Sequence, residues 1–274
     1  MEAPEGSVDT AGTGGDGMGT YNVSTAAAIV AAACGVPVAK HGNKAISSKT
    51  GSADVLSALG VNIDAPMELI RESLWSNNIG FFMAPRHHGA MKHVAPTRTE
   101  LGTRTIFNLL GPLSNPTATK RQLVGVYDQK WCLPIAEVFG KLGAEHVWVV
   151  HGMDGMDELT ISGPSFVACY NSGELTSFEV NPEDANLKQK NIQDLRGGDA
   201  VTNSKEILEL LNGKQGAYQD IVVLNAAATL IVGGKAESLT EGAELALQAI
   251  NTGRAQQTLD KLIEISNRMI LEKK

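Results

Sequence analysis

Residues 10–25, TAGTGGDGMGTYNVST, place five glycines (Gly12, Gly14, Gly15, Gly17 and Gly19) around one acid, Asp16, with no Lys or Arg. Glycine lets backbone approach a ligand closely and take positive φ, so successive N–H groups can point into one concavity. A helix starts near Asn22-Val23-Ser24-Thr25, and its free N–H groups and dipole favour an anion. The hydroxyls of Ser24 and Thr25 can donate to a phosphate or face a metal ion. The spacing is neither GxxxxGK[ST] nor a clean dinucleotide GxGxxG. The same residues also suit a tight turn feeding a helix, with Asn22 or Ser24 as N-cap. Asp16 bears on the choice: beside a phosphate, a carboxylate is repulsive unless it accepts from a sugar hydroxyl or shares a cation.

Two further loops carry chemistry. Lys40-His41-Gly42-Asn43 follows a short apolar strand, where open α/β sheets place their ligands. Lys40 offers a point charge for phosphate, and Ser47, Ser48 and Ser52 offer hydroxyl donors. A solvated loop with Ser52 capping the next helix fits equally. HGMDGMDEL (151–159) crowds Asp154, Asp157 and Glu158 at the end of another strand. Adjacent carboxylates there can reach Mg²⁺, which takes one or two of them plus water and substrate oxygens; a solvated acidic turn is the alternative. Zinc is disfavoured, because the histidines lack HExxH spacing and the three cysteines are scattered. Arg98, among His88, Lys92, His93 and Arg104, offers a planar fork for a carboxylate or is a surface arginine. Asn225, inside an apolar helix, reads as a satisfied core group.

The elements that must hold these loops alternate. Strands are predicted at 36–39, 79–83, 122–127 and 146–150, and a hairpin at 166–180 turns on Asn171-Ser172-Gly173. Helices are predicted at 26–33, 53–59, from Pro66 onward, through a stretch holding His87, His88, His93 and Arg98, and at 131–142. Further helices follow at 204–211, 217–232, 241–250 and 255–271. The pattern implies an α/β fold around a mostly parallel central sheet flanked by helices. Residues 217–232 are apolar on nearly every face, which predicts a buried central helix.

The chain of 274 residues is 43% hydrophobic and carries a net charge of −7. That charge argues against a nucleic-acid or anionic-membrane surface. The longest apolar run, 26–39, contains Gly35 and Pro37 and falls short of the ~20 residues a membrane span requires. Unpaired cysteines and an N-terminus without signal-peptide character predict a soluble, cytoplasmic protein.

In order along the chain, GTGGDG (12–17), NVST (22–25), KHGN (40–43), GSADVL (51–56), HHGAMKHVAPTR (87–98), RTIFNLLGPLSNP (104–116) and DGMDE (154–158) resemble the anthranilate phosphoribosyltransferases of tryptophan biosynthesis. The resemblance implies a nucleoside phosphorylase/phosphoribosyltransferase-type fold. Residues 1–274 would form its large α/β domain, with 86–112 contributing to a small helical domain and the anthranilate site. It implies transfer of the phosphoribosyl group from phosphoribosyl pyrophosphate to the anthranilate amine. Gly12, Gly15, Asp16, Thr20, Asn22, Val23, Ser24, Thr25, Lys40, His41, Gly42, Asn43, Lys44, Ala45, Ile46, Ser47, Ser48 and Ser52 would line the phosphoribosyl pyrophosphate site. Anthranilate would meet Gly12, Asn43 and Arg98, the last on its carboxylate, with His88, Gly111 and Pro112 nearby. Two Mg²⁺ ions are implied, one on Ser24 and Glu158, the other on Asp157 and Glu158. No general base is implied.

Family members usually carry helices ahead of the glycine loop that build most of the small domain and the usual homodimer interface. Eleven residues precede Gly12 here, so those helices are expected to be largely absent, and activity and assembly to suffer. Two other readings share the architecture: a pyrimidine nucleoside phosphorylase, and a non-catalytic nucleic-acid-binding paralogue. The acidic pair and GTGGDG speak against the first; the acidic charge and the retained pair speak against the second.

Overall fold

The computed structural model describes residues 1–45, 49–89, 100 and 105–269. Among them, seven strands form one sheet in the order β3-β2-β1-β4-β5-β6-β7. These are β1 Val8–Gly12, β2 Val38–Gly42, β3 Ile79–Met83, β4 Arg121–Gly125, β5 His146–Gly152, β6 Ser165–Asn171 and β7 Glu174–Val180. The first five run parallel; β6 and β7 are antiparallel additions. The β6–β7 turn falls at Ser172 and Gly173, with φ of 49° and 102°.

Parallel strands covered on both faces must be apolar throughout, and β5 shows this. Trp148 and Val150 pack into one cluster, Val147 and Val149 into another. The helices longer than one turn among the described residues are α1 Val23–Ala33, α2 Ser52–Ala58, α3 Met67–Asn77, α4 Cys132–Lys141, α5 Ala200–Leu211, α6 Ala217–Val232, α7 Leu239–Asn251 and α8 Arg254–Ser266. As the composition predicts, α6 is buried over almost its whole length, and α1 and α7 pack on it. Helix α4 covers the opposite face against β5 and β6. Among the described residues, no helix is long and apolar enough to cross a membrane.

The chain leaves β1 on one side toward β2 and later returns on the other side as β4, making β1 the point where strand order reverses. Ligands of open α/β sheets sit at such points, outside the carboxyl ends of the strands. The glycine loop begins there, at Gly12.

Several expected boundaries move. Strand β2 starts at Val38 rather than at residue 36 and runs on to Gly42, because Lys40 and His41 pair in register with Phe81 and Phe82. Lys40 and His41 are therefore buried strand residues, not loop residues. Helix α8 stops at Ser266 short of 271, where the Asn267 amide donates to the carbonyls of Ile263 and Gly60. Of the helical stretch expected around His87–Arg98, one turn, Ala84–His87, is described. Ile46, Ser47, Ser48, Lys92, His93, Arg98 and Arg104 lie outside the described residues.

Candidate active site

The glycine loop has the backbone its composition demands: Gly14, Gly15, Gly17 and Gly19 all take φ between 63° and 77°. Asp16 folds back to accept from the Met18 N–H at 3.1 Å. Thr20 bridges to Arg196, and the Gly197 N–H donates to the Gly19 carbonyl at 2.9 Å, docking the loop's far end. Asn22 precedes α1 as its N-cap residue, yet its side chain does not cap the helix. Its Oδ1 instead accepts from Asn203 Nδ2 at 2.9 Å, and its carbonyl accepts from the Tyr218 hydroxyl at 3.2 Å. The Val23 N–H donates to the Tyr21 carbonyl at 2.9 Å, and no Asn22 side-chain cap takes the amides of Ser24 and Thr25 in the first turn of α1. Thr25 Oγ1 is buried with no partner among the described residues.

Glu158 takes the Ser24 amide, its Oε1 accepting from that N–H at 3.2 Å. Asp157 reaches the glycine loop itself, where its Oδ2 accepts from the Gly14 N–H at 2.6 Å. The two acids expected from sequence to hold metal are therefore brought onto the glycine loop and the α1 N-terminus. Asp154 is not. Its Oδ2 takes the hydroxyls of Thr160 at 2.5 Å and Ser162 at 2.6 Å, which shapes the acidic loop from within.

The close approach depends on two glycines. A Cβ on Gly12 would lie 2.5 Å from Asp157 Oδ2, and one on Gly125 would lie 1.5 Å from the Asp157 carbonyl oxygen. Gly125→Ala must therefore displace the acidic loop or the end of β4. Overpacking of this kind costs about 1–3 kcal/mol or more. The expected result is a folded protein that loses at least about tenfold in kcat/KM, with thermal melts and steady-state kinetics as the check. Unchanged kcat/KM would mean that the loop's seat on β4 is unimportant.

Buried like charges dominate the electrostatics of the site. Burial first, then the Asp16 and Glu158 carboxylates, push Asp157 well above the usual carboxylate range. Burial also raises Glu158 to about 7, with Lys40 opposing and Asp16 adding to the rise. Lys40 is 2% exposed. Its Nζ donates to the Thr10 carbonyl at 2.7 Å, to Thr10 Oγ1 at 3.3 Å and to Ser24 Oγ at 3.4 Å. Its charge thus sits beneath the glycine loop and acts on Ser24, Glu158 and the buried Asp9.

Asp9 ties this layer together. Its Oδ1 accepts from the His41 N–H at 3.0 Å and its Oδ2 from Asn115 Nδ2 at 2.7 Å. Asn115 also donates to the Ala39 carbonyl, which seats the turn carrying Gly111 and Pro112 against β2. His88 comes to His41, Nε2 to Nε2 at 3.0 Å with rings edge-on. Burial, then His88, His87 and Lys40, drive His41 down to about 3, and burial lowers His88 as well. Burial thus disfavours a charge on either ring.

The second loop folds back on α2. The N–H groups of Ala45 and Gly51 both donate to Asp54 Oδ2 at 2.9 Å. The expected cap, Ser52, is the first residue of α2, with Gly51 as N-cap; its hydroxyl donates to the Asn43 carbonyl at 3.4 Å. Gly42 leaves room for that hydroxyl, since a Cβ there would lie 2.1 Å from Ser52 Oγ. The Asn43 side chain accepts from the Lys44 N–H, and Lys44 is exposed.

Asn225 completes the arrangement. Its Oδ1 accepts from the Leu159 N–H at 3.1 Å, and its Nδ2 donates to the carbonyls of Leu159 and Ile221, both at 2.9 Å. Sequence reasoning identifies Asn225 as a satisfied polar group but not what satisfies it. It passes over Asp9, Gly125, Asn203 and Tyr218. None of the four carries a local signal: Asp9 sits in VDTAG, a segment too short and too polar to read as a buried strand.

The donor set fits magnesium. Two carboxylates and the Ser24 hydroxyl are hard oxygen donors, and Mg²⁺ takes few protein ligands, leaving positions for water and phosphate oxygens. The described residues hold no cluster of three or more His, Cys, Asp or Glu arranged to enclose a metal ion, so a closed all-protein cage is absent among them.

Comparison with known proteins agrees. The glycosyl transferase family, a/b domain, matches residues 5–256. Anthranilate phosphoribosyltransferase of Paramagnetospirillum magneticum is 62% identical over 98% of this chain and 78% of its own length. That of Azospirillum brasilense is 58% identical over 98% and 76%. Among solved structures, anthranilate phosphoribosyltransferase from Thermus thermophilus superposes with a TM-score of 0.92 at 42% identity, over 98% of this chain and 80% of that one. The Saccharomyces cerevisiae enzyme in complex with PRPP and Mg superposes at 0.89 and 28% identity, over 98% and 76%. The loops described above sit at the strand ends of that shared fold, and the chain belongs to the anthranilate phosphoribosyltransferases of this glycosyl transferase family.

Proposed function

We propose that this chain transfers the 5-phosphoribosyl group from phosphoribosyl pyrophosphate to the amine of anthranilate, releasing pyrophosphate. The carrying observation is the seating of Asp157 on the Gly14 amide and Glu158 on the Ser24 amide, where strand order reverses. Loop amides and the α1 N-terminus favour the anionic substrate, and preorganised donors of this kind make the largest contribution to most catalysis. Asp16 accepts from sugar hydroxyls. Ser24 with Glu158, and Asp157 with Glu158, would hold two magnesium ions. When bound, magnesium supplies the positive charge that this acidic pocket withholds from a pyrophosphate leaving group.

Thr20, Asn22–Thr25 and residues 40–48 with Ser52 complete the phosphoribosyl pyrophosphate side, Lys40 through its charge rather than by contact. Gly12, Asn43, His88, Gly111 and Pro112 line the anthranilate side. Arg98, whose planar guanidinium fork matches a carboxylate, holds the anthranilate carboxylate in this reading, as the family resemblance implies. An aromatic amine is neutral at pH 7 and needs positioning more than deprotonation, so no general base is assigned. The retained acidic pair speaks against the phosphorylase and nucleic-acid-binding alternatives. Residues 86–112 are proposed to add to a small helical domain and the protein to be cytoplasmic; light scattering tests whether this chain forms the homodimer the family resemblance implies.

The test is loss of anthranilate fluorescence coupled to pyrophosphate release with Mg²⁺ present. Turnover of one pyrophosphate per anthranilate supports the reading; pyrophosphate release without anthranilate consumption, or no turnover, opposes it. Arg98→Ala is expected to raise the anthranilate KM about 10- to 150-fold, the equivalent of one charge-assisted hydrogen bond, with the phosphoribosyl pyrophosphate KM nearly unchanged. Equal losses for both substrates would instead assign Arg98 to the fold.

A further inference from the structure

Asn225 is fully buried in the middle of α6, within the apolar run between Leu224 and Ala226. A buried amide is unfavourable unless its groups are paired, and an apolar side chain would serve packing alone. Two of its three hydrogen bonds go to one residue, Leu159, accepting from its N–H and donating to its carbonyl. The first of these fixes the peptide joining Glu158 to Leu159, so the backbone immediately after Glu158 is pinned to the central helix. From that anchor the Glu158 carboxylate meets Ser24 at the start of α1, itself packed on α6. One helix therefore sets both sides of the gap between Glu158 and Ser24.

We infer that Asn225 is a positioning residue for magnesium: it touches neither substrate nor ion, and it fixes where Glu158 stands. This rests on the proposed reading of Asp157 and Glu158 as ligands. Groups that orient metal ligands contribute about 10- to 100-fold in metal affinity.

The experiment is calorimetric titration of Mg²⁺ into the full chain with phosphoribosyl pyrophosphate present, comparing wild type, Asn225→Ala, Thr229→Val and Glu158→Gln. Thr229 lies one turn along α6, equally buried, with its hydroxyl on the Asn225 carbonyl, and so reports ordinary damage to the helix. Asn225→Ala is expected to weaken Mg²⁺ about 10- to 100-fold, while phosphoribosyl pyrophosphate affinity in EDTA stays at the wild-type value. Thr229→Val should leave Mg²⁺ affinity within about twofold. Unchanged Mg²⁺ affinity in Asn225→Ala, or equal weakening in Thr229→Val, overturns the inference.

Should Asn225→Ala not fold, Asn225→Leu keeps most of the volume and loses all three hydrogen bonds, and a comparable weakening of Mg²⁺ is expected. Wild-type hydrogen exchange gives an independent readout: the Leu159 amide should exchange slowly even without metal, and fast exchange there overturns the proposal. If wild type shows no Mg²⁺ dependence, or Glu158→Gln retains it, the ligand reading fails, whatever Asn225 does.

Discussion

Replacing Asp157 by Asn and Glu158 by Gln together is expected to abolish turnover, by at least about a thousandfold, while making the metal-free protein more stable above pH 7. The first effect follows from removing the carboxylates that would concentrate positive charge against the leaving pyrophosphate; loss of a single stabilising donor already costs about 10²–10³ in rate. The second follows from linkage. Glu158 has its pKa raised from 4.5 to about 7 in the folded chain. Between those values the folded state holds a proton that the unfolded state has released, so stability falls as pH rises through that window. At pH 8 the penalty reaches up to about 3 kcal/mol, at 1.36 kcal/mol per pKa unit; below pH 4.5 it vanishes. Burial shifts Asp157 in the same direction. Thermal melts in EDTA should therefore show the double variant above wild type at pH 8 and level with it, or below, near pH 4.5. Adding Mg²⁺ with phosphoribosyl pyrophosphate should raise the wild-type Tm and leave the variant's unmoved. A variant less stable than wild type at pH 8 without metal would mean that the acids are structural.

Lys40→Met is expected to have the largest effect on stability. The ammonium is buried among Thr10, Ser24, Asp9 and Glu158, and removing one member of a buried charged set costs about 3–5 kcal/mol. For a domain of this size that is roughly 6–20 °C in Tm, at about 2–4 °C per kcal/mol. Without Lys40, burial raises Asp9 further above 3.8, so the folded variant keeps the Asp9 proton to higher pH. The sign is then fixed: the loss relative to wild type is larger at pH 8 than at pH 5. Asp9→Asn in the Lys40→Met background should recover part of it, giving non-additivity in a double-mutant cycle. A pH-independent loss, or simple additivity, would show that Lys40 contributes packing rather than charge.

How far these features are legible in sequence differs from residue to residue. The alternating elements other than β1, the buried helix 217–232 and the 171–173 turn follow from periodicity and turn chemistry, which act locally; VDTAG, short and half polar, shows no such pattern. The glycine loop's positive φ angles are legible for the same reason. Lys40 and His41 read as loop residues because a polar pair after an apolar run resembles a strand end. Pairing with Phe81 and Phe82, distant in sequence, and burial of the charge beside Asp9 are tertiary facts that no local pattern carries. Composition does not separate Asp154 from Asp157, since Thr160 and Ser162, which occupy its carboxylate, lie beyond the motif. Gly125 looks like any strand-terminal glycine until the Asp157 backbone is laid across it.

The central claim is that Asp157, Glu158 and Ser24 hold metal against the pyrophosphate of phosphoribosyl pyrophosphate. The most direct measurement is an anomalous difference map from crystals of the full chain grown with Mn²⁺ in place of Mg²⁺ and with phosphoribosyl pyrophosphate. The expected result is manganese ligated by Glu158 together with Asp157 or the Ser24 hydroxyl, and by pyrophosphate oxygens. Ordered phosphoribosyl pyrophosphate with both acids remote from any anomalous peak would contradict it.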